Sequence, residues 1–240
     1  MTSFARDLAN PFSRAIAAAG RRFLGTITHV RTAEPVAALT FDDGPHPLFT
    51  PRLLDVLAQH QARATFFVIG TQAAAHPDLI RRIVAAGHVI ANHTHQHIRL
   101  PETDRLTRLR DIGQCRRVLG PNGARLLRPP YGGQSVGSRI DALLLGYEVV
   151  TWNMHAEDWA GHDTDYMAER LVRQLRPGSI ILLHDALLTP RVVAAADREP
   201  TIQAVDRFLQ HTSPQYRFVT VPELMRLGTP VRTRWFKPAQ

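Results

Sequence analysis

The sequence is poor in cysteine, in lysine and in long apolar runs. Its 240 residues include one cysteine, Cys115, and one lysine, Lys237. One thiol excludes an intrachain disulfide framework and a cysteine-based zinc cluster. No run of about 18 apolar residues is present, which excludes a membrane-spanning helix. Residues 1–24 also lack the apolar core of about 7–15 residues that a secretion signal requires. We therefore expect a cytoplasmic or membrane-peripheral protein, or an extracellular one if a leader has been removed.

Arginine, in contrast, is abundant. The chain has 29 Lys+Arg against 21 Asp+Glu, a formal charge of +8, and 44% of its residues are hydrophobic, as in an ordinary globular protein. A basic excess can indicate a nucleic-acid binder. Here, however, the arginine pairs at 21–22, 81–82 and 116–117 are spread along the chain, mostly in helix-like segments. The sequence predicts no nucleic-acid partner and at most an attraction to anionic walls or lipid headgroups. It carries no signal of oligomeric state.

Apolar strand-like runs alternate with helix-like segments along the body of the chain. Strands that are buried on both faces read as continuous apolar runs, so the alternation indicates a parallel sheet covered by helices. It predicts an α/β fold, a closed or nearly closed (β/α) barrel with about seven parallel strands, TIM-barrel-like. A doubly wound open sheet is the alternative. The predicted strands are 36–41, 64–70, 88–92, one beginning at Leu126, 147–152, 179–184 and 217–221. The predicted helices lie near 50–57, 79–87, 103–119, 165–175 and 202–209, the first with Thr50 as its N-cap.

Unusual polar residues follow five of the predicted strands. Active sites of barrels lie at the carboxyl ends of the strands, so these residues are expected to face one crevice. They are Asp42 with Asp43, the run from His93 to His97, residues 128–131 (RPPY), Asp158 with Trp159, and His184 with Asp185.

His93 and His97 are candidate metal ligands. Four positions apart on a helical turn, their rings would face one point, with His95 directed away. A carboxylate from Asp42 or Asp43 would supply the third ligand. Two histidines, one carboxylate and an open position for water form a catalytic zinc site, although non-haem iron uses the same donors. The spacing leaves open which aspartate is the ligand.

Hydrolysis at such a site needs a base for the water and an acid for the leaving amine. The other aspartate of the pair is the candidate base, and His184 is the candidate acid, with Asp158 to hold its ring. Arg128 is expected to pair with a carboxylate. Each residue alone also fits a structural role, such as a strand-ending cap or a rigid turn.

Five ordered motifs strengthen this interpretation: TFDDGP at 40–45, NHTHQH at 92–97, RPPY at 128–131, DW at 158–159 and LLHD at 182–185. Together they resemble the motifs of the polysaccharide deacetylase family, and residues 40–100 resemble nodulation-type chitooligosaccharide deacetylases in particular. The resemblance covers residues 36–227 and implies a distorted (β/α) barrel with seven or eight strands. Residues 1–35 are then an N-terminal extension, expected to be helical, and residues 228–240 form a C-terminal tail.

The resemblance also implies catalytic roles. Asp42 would be the general base, held by Arg128, and His184 would be the general acid, oriented by Asp158. A divalent metal is implied, with zinc expected and Mn²⁺, Mg²⁺ or Co²⁺ as alternatives. Its ligands would be Asp43, His93 and His97.

Four further residues are implied as substrate contacts. The backbone N–H of Tyr131 would bind the oxyanion, Trp159 and Leu182 would surround the acetyl methyl group, and Pro130 would line the same region. The implied reaction is hydrolysis of N-acetyl groups on N-acetylglucosamine units of chitooligosaccharides or a related polysaccharide, with release of acetate. An N-acetylated amino-sugar oligomer or polymer would be the partner.

Two alternatives remain at this point. One is a deacetylase of peptidoglycan or another poly-N-acetylglucosamine. The other is a carbohydrate-binding protein without catalysis, which the intact set of Asp42, His184 and three ligands disfavours. The fourth motif departs from the family at His155, where an acidic residue is often found. Residues 187–199 are expected to form an extended loop beside His184, and we hypothesise that this loop gates the crevice.

Overall fold

The structure is a computed structural model that describes residues 24–235. The strands of this part are β1 (Thr26–Arg31), β2 (Val36–Asp42), β3 (Ala64–Val68), β4 (Val89–Asn92), β5 (Gly123–Leu127), β6 (Glu148–Val149), β7 (Met154–His155), β8 (Ile180–His184), β9 (Arg217–Phe218) and β10 (Thr229–Thr233). Its helices are α1 (Phe49–Gln59), α2 (Gly70–Ala75), α3 (Pro77–Ala85), α4 (Arg105–Leu119), α5 (Val136–Leu144), α6 (Thr164–Gln174), α7 (Glu199–Thr212) and α8 (Val221–Arg226).

A parallel sheet forms the centre of the molecule. Its strands follow the order β6-β5-β4-β3-β2-β8-β7, and β9 pairs with the start of β2. All pairings between these strands are parallel. The seven strands of the main path curl into a half-barrel. The predicted α/β fold, a distorted (β/α) barrel with about seven parallel strands, is therefore confirmed.

Strand β1 forms backbone hydrogen bonds with residues next to β6 and with residues next to β8. Ile27 forms a parallel bridge with Val150 just after β6, and the N–H of Val30 donates to the carbonyl of Gly178 just before β8 at 2.9 Å. The side chains of Ile27 and Val30 are fully buried. The extension 1–35 was expected to be helical. Residues 1–23 lie outside the described residues, but Thr26–Arg31 form a strand, in which an irregular register between Ile27 and His29 leaves both Ile27 and Val30 buried.

The predicted C-terminal tail also contributes a strand. Residues Thr229–Thr233 form β10, which pairs antiparallel with β1 in a two-stranded sheet. The folded unit therefore extends on both sides beyond the predicted limits of 36 and 227.

The side chains of β2 alternate between two apolar clusters, and this alternation positions the first aspartate. The residues that pack with the helices are Ala37, Leu39 and Phe41. Val36 and Ala38 belong to the cluster on the opposite face. Because successive side chains of a strand point to opposite faces, Thr40 and Asp42 share the face of Val36 and Ala38.

Several predicted boundaries differ from the observed ones. The strand predicted at 147–152 is shortened to Glu148–Val149, because the chain leaves β5 at this point: Val150 bridges to Ile27, and the N–H of Thr151 donates to the carbonyl of Ile27 in β1. The strand predicted at 217–221 ends at Phe218, because Thr220 caps helix α8. The strand that was predicted to begin at Leu126 begins earlier, at Gly123, and ends at Leu127 as β5.

The predicted cap of the first helix was also wrong. Helix α1 begins at Phe49 with Leu48 at the N-cap position, so Thr50 lies within the first turn. The hydroxyl of Thr50 instead donates to Oδ2 of Asp185 at 2.5 Å. The other predicted helices are present within one or a few residues of their expected ends. Within residues 24–235, no helix is both long and apolar enough to cross a bilayer.

Candidate active site

The predicted site residues converge on one cleft at the carboxyl ends of the strands. Those that line it are Asp42, Asp43, His93, His97, Tyr131, Trp159, Leu182 and His184. Arg128 and Asp158 lie buried behind the cleft, bonded to Asp42 and His184. Pro130 was predicted as a substrate contact, but it is buried at the start of a short 3₁₀ turn and is not among the cleft-lining residues.

Left-handed backbone brings the two candidate histidines together. The predicted helical turn over 93–97 is wrong, because Thr94 and His97 have φ angles of 68° and 56° and no helix forms there. Asp43 (φ 72°) and Tyr131 (φ 58°) share this conformation. It costs about 1–3 kcal/mol per non-glycine residue and concentrates at functional sites.

Buried hydrogen bonds hold the histidine loop in this conformation. Oδ1 of Asn92 accepts from the N–H of Thr94 at 2.8 Å. The carboxylate of Asp111, on helix α4, accepts from the N–H groups of His95 and Gln96 at 2.6 and 3.2 Å. Sequence reasoning did not single out Asn92 or Asp111, because nothing in the sequence shows that these side chains replace a helix as partners of the loop backbone.

Asp43, His93 and His97 form a compact set of donors. Oδ1 of Asp43 lies 3.3 Å from Nε2 of His93 and 3.1 Å from Nε2 of His97. All three side chains are buried, and each offers a ligand atom within 4.8 Å of the others. Among the histidine, cysteine, aspartate and glutamate side chains in residues 24–235, these three lie close enough together to hold one metal ion.

The orientation of His93 fits a cation at this point. Its Nδ1 lies 2.8 Å from the carbonyl oxygen of Arg128, which can only accept, so Nδ1 is the donor of this contact and Nε2 is left to face Asp43. Oδ1 of Asp43 is a buried oxygen without a hydrogen-bond donor. Burial alone raises the pKa of Asp43, but His93 and His97 hold that pKa well below its usual value, so the carboxylate is charged. Two imidazole nitrogens and a charged carboxylate that converge on one point fit a divalent metal.

The second carboxylate, Asp42, is held by an arginine instead. Nη1 of Arg128 donates to Oδ1 of Asp42 at 2.7 Å and to Oγ1 of Thr40 at 2.7 Å. Its other nitrogens donate to the carbonyls of Val150 and Thr151. Arg128 is fully buried with its guanidinium 4.0 Å from the ring centroid of Phe67. The arginine thus fixes one oxygen of Asp42 and leaves Oδ2 on the side of the histidines, 3.8 Å from Nε2 of His93.

His184 and Asp158 form a dyad on the opposite side of the cleft. Oδ1 of Asp158 lies 3.0 Å from Nδ1 of His184, and Oδ2 accepts from the His184 backbone N–H at 2.8 Å. Burial alone lowers the pKa of His184, but the Asp158 carboxylate outweighs burial and, together with Asp43 and Asp42, raises that pKa to about 8. His184 is therefore protonated at neutral pH, as a proton donor requires.

Two apolar side chains stand beside this dyad. Leu182 precedes His184 by two positions in β8, so both point to the same face of the sheet. The ring of Trp159 lies edge-on to that of His184 with centroids 5.7 Å apart, and it also contacts the ring of His155 at 5.2 Å. The imidazole of His155 thus packs against the tryptophan.

The first part of the segment 187–199 lies along the cleft. Leu187, Thr189, Pro190 and Arg191 line it, and the segment contains one short 3₁₀ helix at Val193–Ala196 before α7 begins. Whether this segment gates the cleft stays a hypothesis.

Sequence reasoning missed the importance of Asp185 and Arg198. Burial raises the pKa of Asp185 to about 7, although Thr50 donates to it. Arg198 is buried and donates to Oδ2 of Asp158 at 2.5 Å. Asp185 was visible beside His184 but fitted a strand-ending cap, and Arg198 carried no motif signal.

A buried His-His-Asp donor set, flanked by a carboxylate and a protonated histidine at the carboxyl ends of a parallel half-barrel, is typical of a metal-dependent hydrolase of the barrel type. Known proteins specify the family. The polysaccharide deacetylase profile matches residues 29–150. A chitooligosaccharide deacetylase of Sinorhizobium fredii is 40% identical over 194 residues, which cover 78% of this chain and 90% of the relative. A peptidoglycan-N-acetylglucosamine deacetylase of Bacillus cereus is 35% identical over 198 residues, which cover 80% and 89%.

Solved structures agree with this assignment. A peptidoglycan N-acetylglucosamine deacetylase in complex with 4-naphthalen-1-yl-N-oxidanyl-benzamide superimposes with a TM-score of 0.77 and 30% identity, covering 92% of this chain and 99% of the other. The chain belongs to the polysaccharide deacetylase family.

Proposed function

We propose that the protein removes N-acetyl groups from N-acetylglucosamine units of chitooligosaccharides or a related polysaccharide and releases acetate. The observation that carries this proposal is the convergence in one cleft of a metal-binding set, a carboxylate fixed by Arg128 and a histidine charged by Asp158. A chitooligosaccharide deacetylase and a peptidoglycan deacetylase among the relatives support the chemistry.

The metal would be held by Asp43, His93 and His97. When bound, a divalent cation there supplies Lewis acidity, polarising the amide carbonyl and a water molecule. Zinc is our choice because two imidazole nitrogens and one carboxylate with an open position are its usual catalytic ligands.

Asp42 is the general base of the proposed reaction. Its Oδ2 faces the histidines, while Oδ1 is tied to Arg128, so the carboxylate is a fixed anion directed at the water. It takes one proton from the water as the water oxygen bonds to the carbonyl carbon. The resulting oxyanion accepts a hydrogen bond from the N–H of Tyr131; one such donor contributes about 10²–10³ in rate.

His184 completes the reaction as the general acid. The carbon–nitrogen bond breaks as His184 gives its proton to the amine nitrogen, and the products are acetate and a glucosamine unit. The free ring nitrogen is Nε2, because Nδ1 is engaged with Asp158. Trp159 and Leu182, beside His184 in the cleft, form the apolar wall for the acetyl methyl group.

Peptidoglycan is a second candidate substrate, and one observation favours it. Arg191 is exposed and lines the cleft, and the guanidinium of Arg99 lies 4.3 Å from the ring centroid of Tyr131, which also lines it. Cationic side chains at the mouth would attract a substrate that carries carboxylates close to the reacting sugar. Peptidoglycan carries free carboxylates on its stem peptides, and chitooligosaccharides carry none.

Acetate release from chitin oligomers and from peptidoglycan tests both candidates. We expect release from at least one substrate, loss of release with a chelator, and recovery when zinc is added back. Arg191→Gln should selectively reduce turnover of peptidoglycan, whereas Arg117→Gln, an exposed arginine of α4, should not. No release from either substrate by the metal-loaded protein would refute the deacetylase proposal. Equal effects of Arg191→Gln on the two substrates would refute the preference for peptidoglycan.

A further inference from the structure

Arg198 is a buried arginine that the five motifs do not include. It lies at the N-cap position of α7, where the segment along the cleft enters that helix, and it is 1% exposed. A charge buried to this extent is retained only when its partners compensate the loss of water. The partners of Arg198 therefore indicate what it does.

All five N–H donors of Arg198 are used. Nη2 donates to Oδ2 of Asp158 at 2.5 Å and to Oγ1 of Thr201 at 2.7 Å. Nη1 donates to the carbonyl of Asp158 at 2.9 Å and to that of Ala195 at 2.6 Å, and Nε donates to the carbonyl of His184 at 3.4 Å. Three of the five bonds thus go to the two residues of the dyad.

This arrangement determines the orientation of the Asp158 carboxylate. Oδ2 is occupied by Arg198 and by the N–H of His184, so Oδ1 is the oxygen left for the ring of His184. If Arg198 were absent, Oδ2 would keep a single donor and the carboxylate could rotate. The His184 ring would then lose the partner that holds its proton-donating nitrogen toward the cleft.

A lysine cannot make the same set of contacts. Its ammonium has three donors on a flexible stem, whereas the guanidinium presents five donors in a rigid plane. The contacts with the Asp158 carboxylate, the Asp158 carbonyl and the His184 carbonyl come from three different nitrogens of one plane. The geometry therefore requires arginine and not only positive charge.

We infer that Arg198 is a positioning residue of the reaction, which aligns the Asp158–His184 dyad for proton transfer to the leaving amine. This inference rests on the proposed deacetylase function. It assigns Arg198 no contact with substrate, because the side chain lies behind Asp158 and away from the cleft lining.

The test compares Arg198→Lys and Arg198→Ala with Arg139→Lys in the metal-loaded full chain. Arg139 is a matched control, since it is similarly buried but donates to the carbonyl of Gly25. Partners of this kind typically contribute about 10- to 100-fold in activity. We expect Arg198→Lys to lower kcat by about that factor, with KM and bound metal unchanged, and Arg139→Lys to keep wild-type kcat. Added guanidinium ions should restore part of the kcat of Arg198→Ala.

The outcomes separate the two proposals. If the wild-type protein releases no acetate, the deacetylase function fails. If the wild type is active and Arg198→Lys retains kcat within twofold, or loses no more than Arg139→Lys, the positioning role is wrong. If Arg198→Ala does not fold, Arg198→Lys decides alone, because it keeps the buried charge beside Asp158.

Discussion

Nη1 of Arg128 donates to Oδ1 of Asp42 across 2.7 Å in a fully buried ion pair. This contact distinguishes two adjacent carboxylates whose spacing alone left them interchangeable, although the family resemblance had implied different roles for them. Asp43, one residue further, points to His93 and His97 instead. The alternation of side chains in β2 turns Asp42 inward, and the left-handed backbone of Asp43 (φ 72°) turns the next side chain toward the histidines.

Asp42→Asn should therefore abolish turnover without releasing metal. The amide oxygen still accepts from Arg128, so the fold is retained, but the amide nitrogen cannot take a proton. Loss of a general base typically reduces the rate by about 10²–10⁴-fold. Acetate release and metal content after dialysis measure the two effects.

Asp43→Asn is the matched control for this experiment. It should lose both metal and activity, since it removes the charged ligand. Loss of metal from Asp42→Asn with retention by Asp43→Asn would mean that the roles of the two aspartates are reversed.

The strand ends were the most predictable part of this site. Buried parallel strands show up as continuous apolar runs, as in residues 36–41 and 179–184, and the polar residues after them necessarily meet at one edge. That reasoning brought Asp42, Asp43, His93 and His184 into one cleft before any contact was known. It needed only the order of the strands and the polarity of the residues at their carboxyl ends.

Contacts between distant loops were not predictable in the same way. The left-handed angles of Thr94 and His97 depend on Asp111 in α4, and the orientation of Asp158 depends on Arg198 at the start of α7. No local pattern in a single sequence shows that a buried charge 40 positions away will complete a dyad. The strand β1 was missed for a similar reason, because its pairing with β10 is set by tertiary packing.

The titration of His184 provides a second prediction. In the metal-free protein its pKa is about 8, because the Asp158 carboxylate and the charge of Asp43 outweigh burial. In the proposed reaction His184 can thus donate a proton below that pKa, and it loses this ability as the pH rises through it. A cation bound to Asp43 cancels part of the raising charge, so zinc loading should lower the pKa. Proton NMR of the ring, assigned with His184→Gln, follows both states.

Asp158→Asn is the control for the titration. It removes the main charge that raises the pKa of His184, so the value should fall below that of the wild-type protein at the same metal occupancy. The basic limb of the activity profile should move to lower pH with it. An unchanged titration in Asp158→Asn would contradict the dyad.

Trp159→Ala tests the apolar wall. The indole is 36% exposed and its ring centroid is 5.7 Å from that of His184, so it can cover a methyl group next to the proton donor. Loss of such apolar contact costs about 1–3 kcal/mol, roughly 10–200-fold in kcat/KM. Metal content should not change, and Trp159→Phe should retain most of the activity. An unchanged kcat/KM in Trp159→Ala would remove this residue from the acetyl contact.

Gly44→Ala should destabilise the fold close to the metal ligands. A Cβ at position 44 would overlap Oδ2 of Asp185, which belongs to a carboxylate that is buried and held by Thr50. Asp185 cannot withdraw without breaking that hydrogen bond, so the backbone of the first motif must shift. Overpacking of this kind costs about 1–3 kcal/mol in the free energy of unfolding.

Gly113→Ala is the matched control, because a Cβ there meets nothing within 4 Å. Thermal unfolding of the metal-free proteins measures the difference, and equal midpoints for both variants would show that Asp185 moves freely.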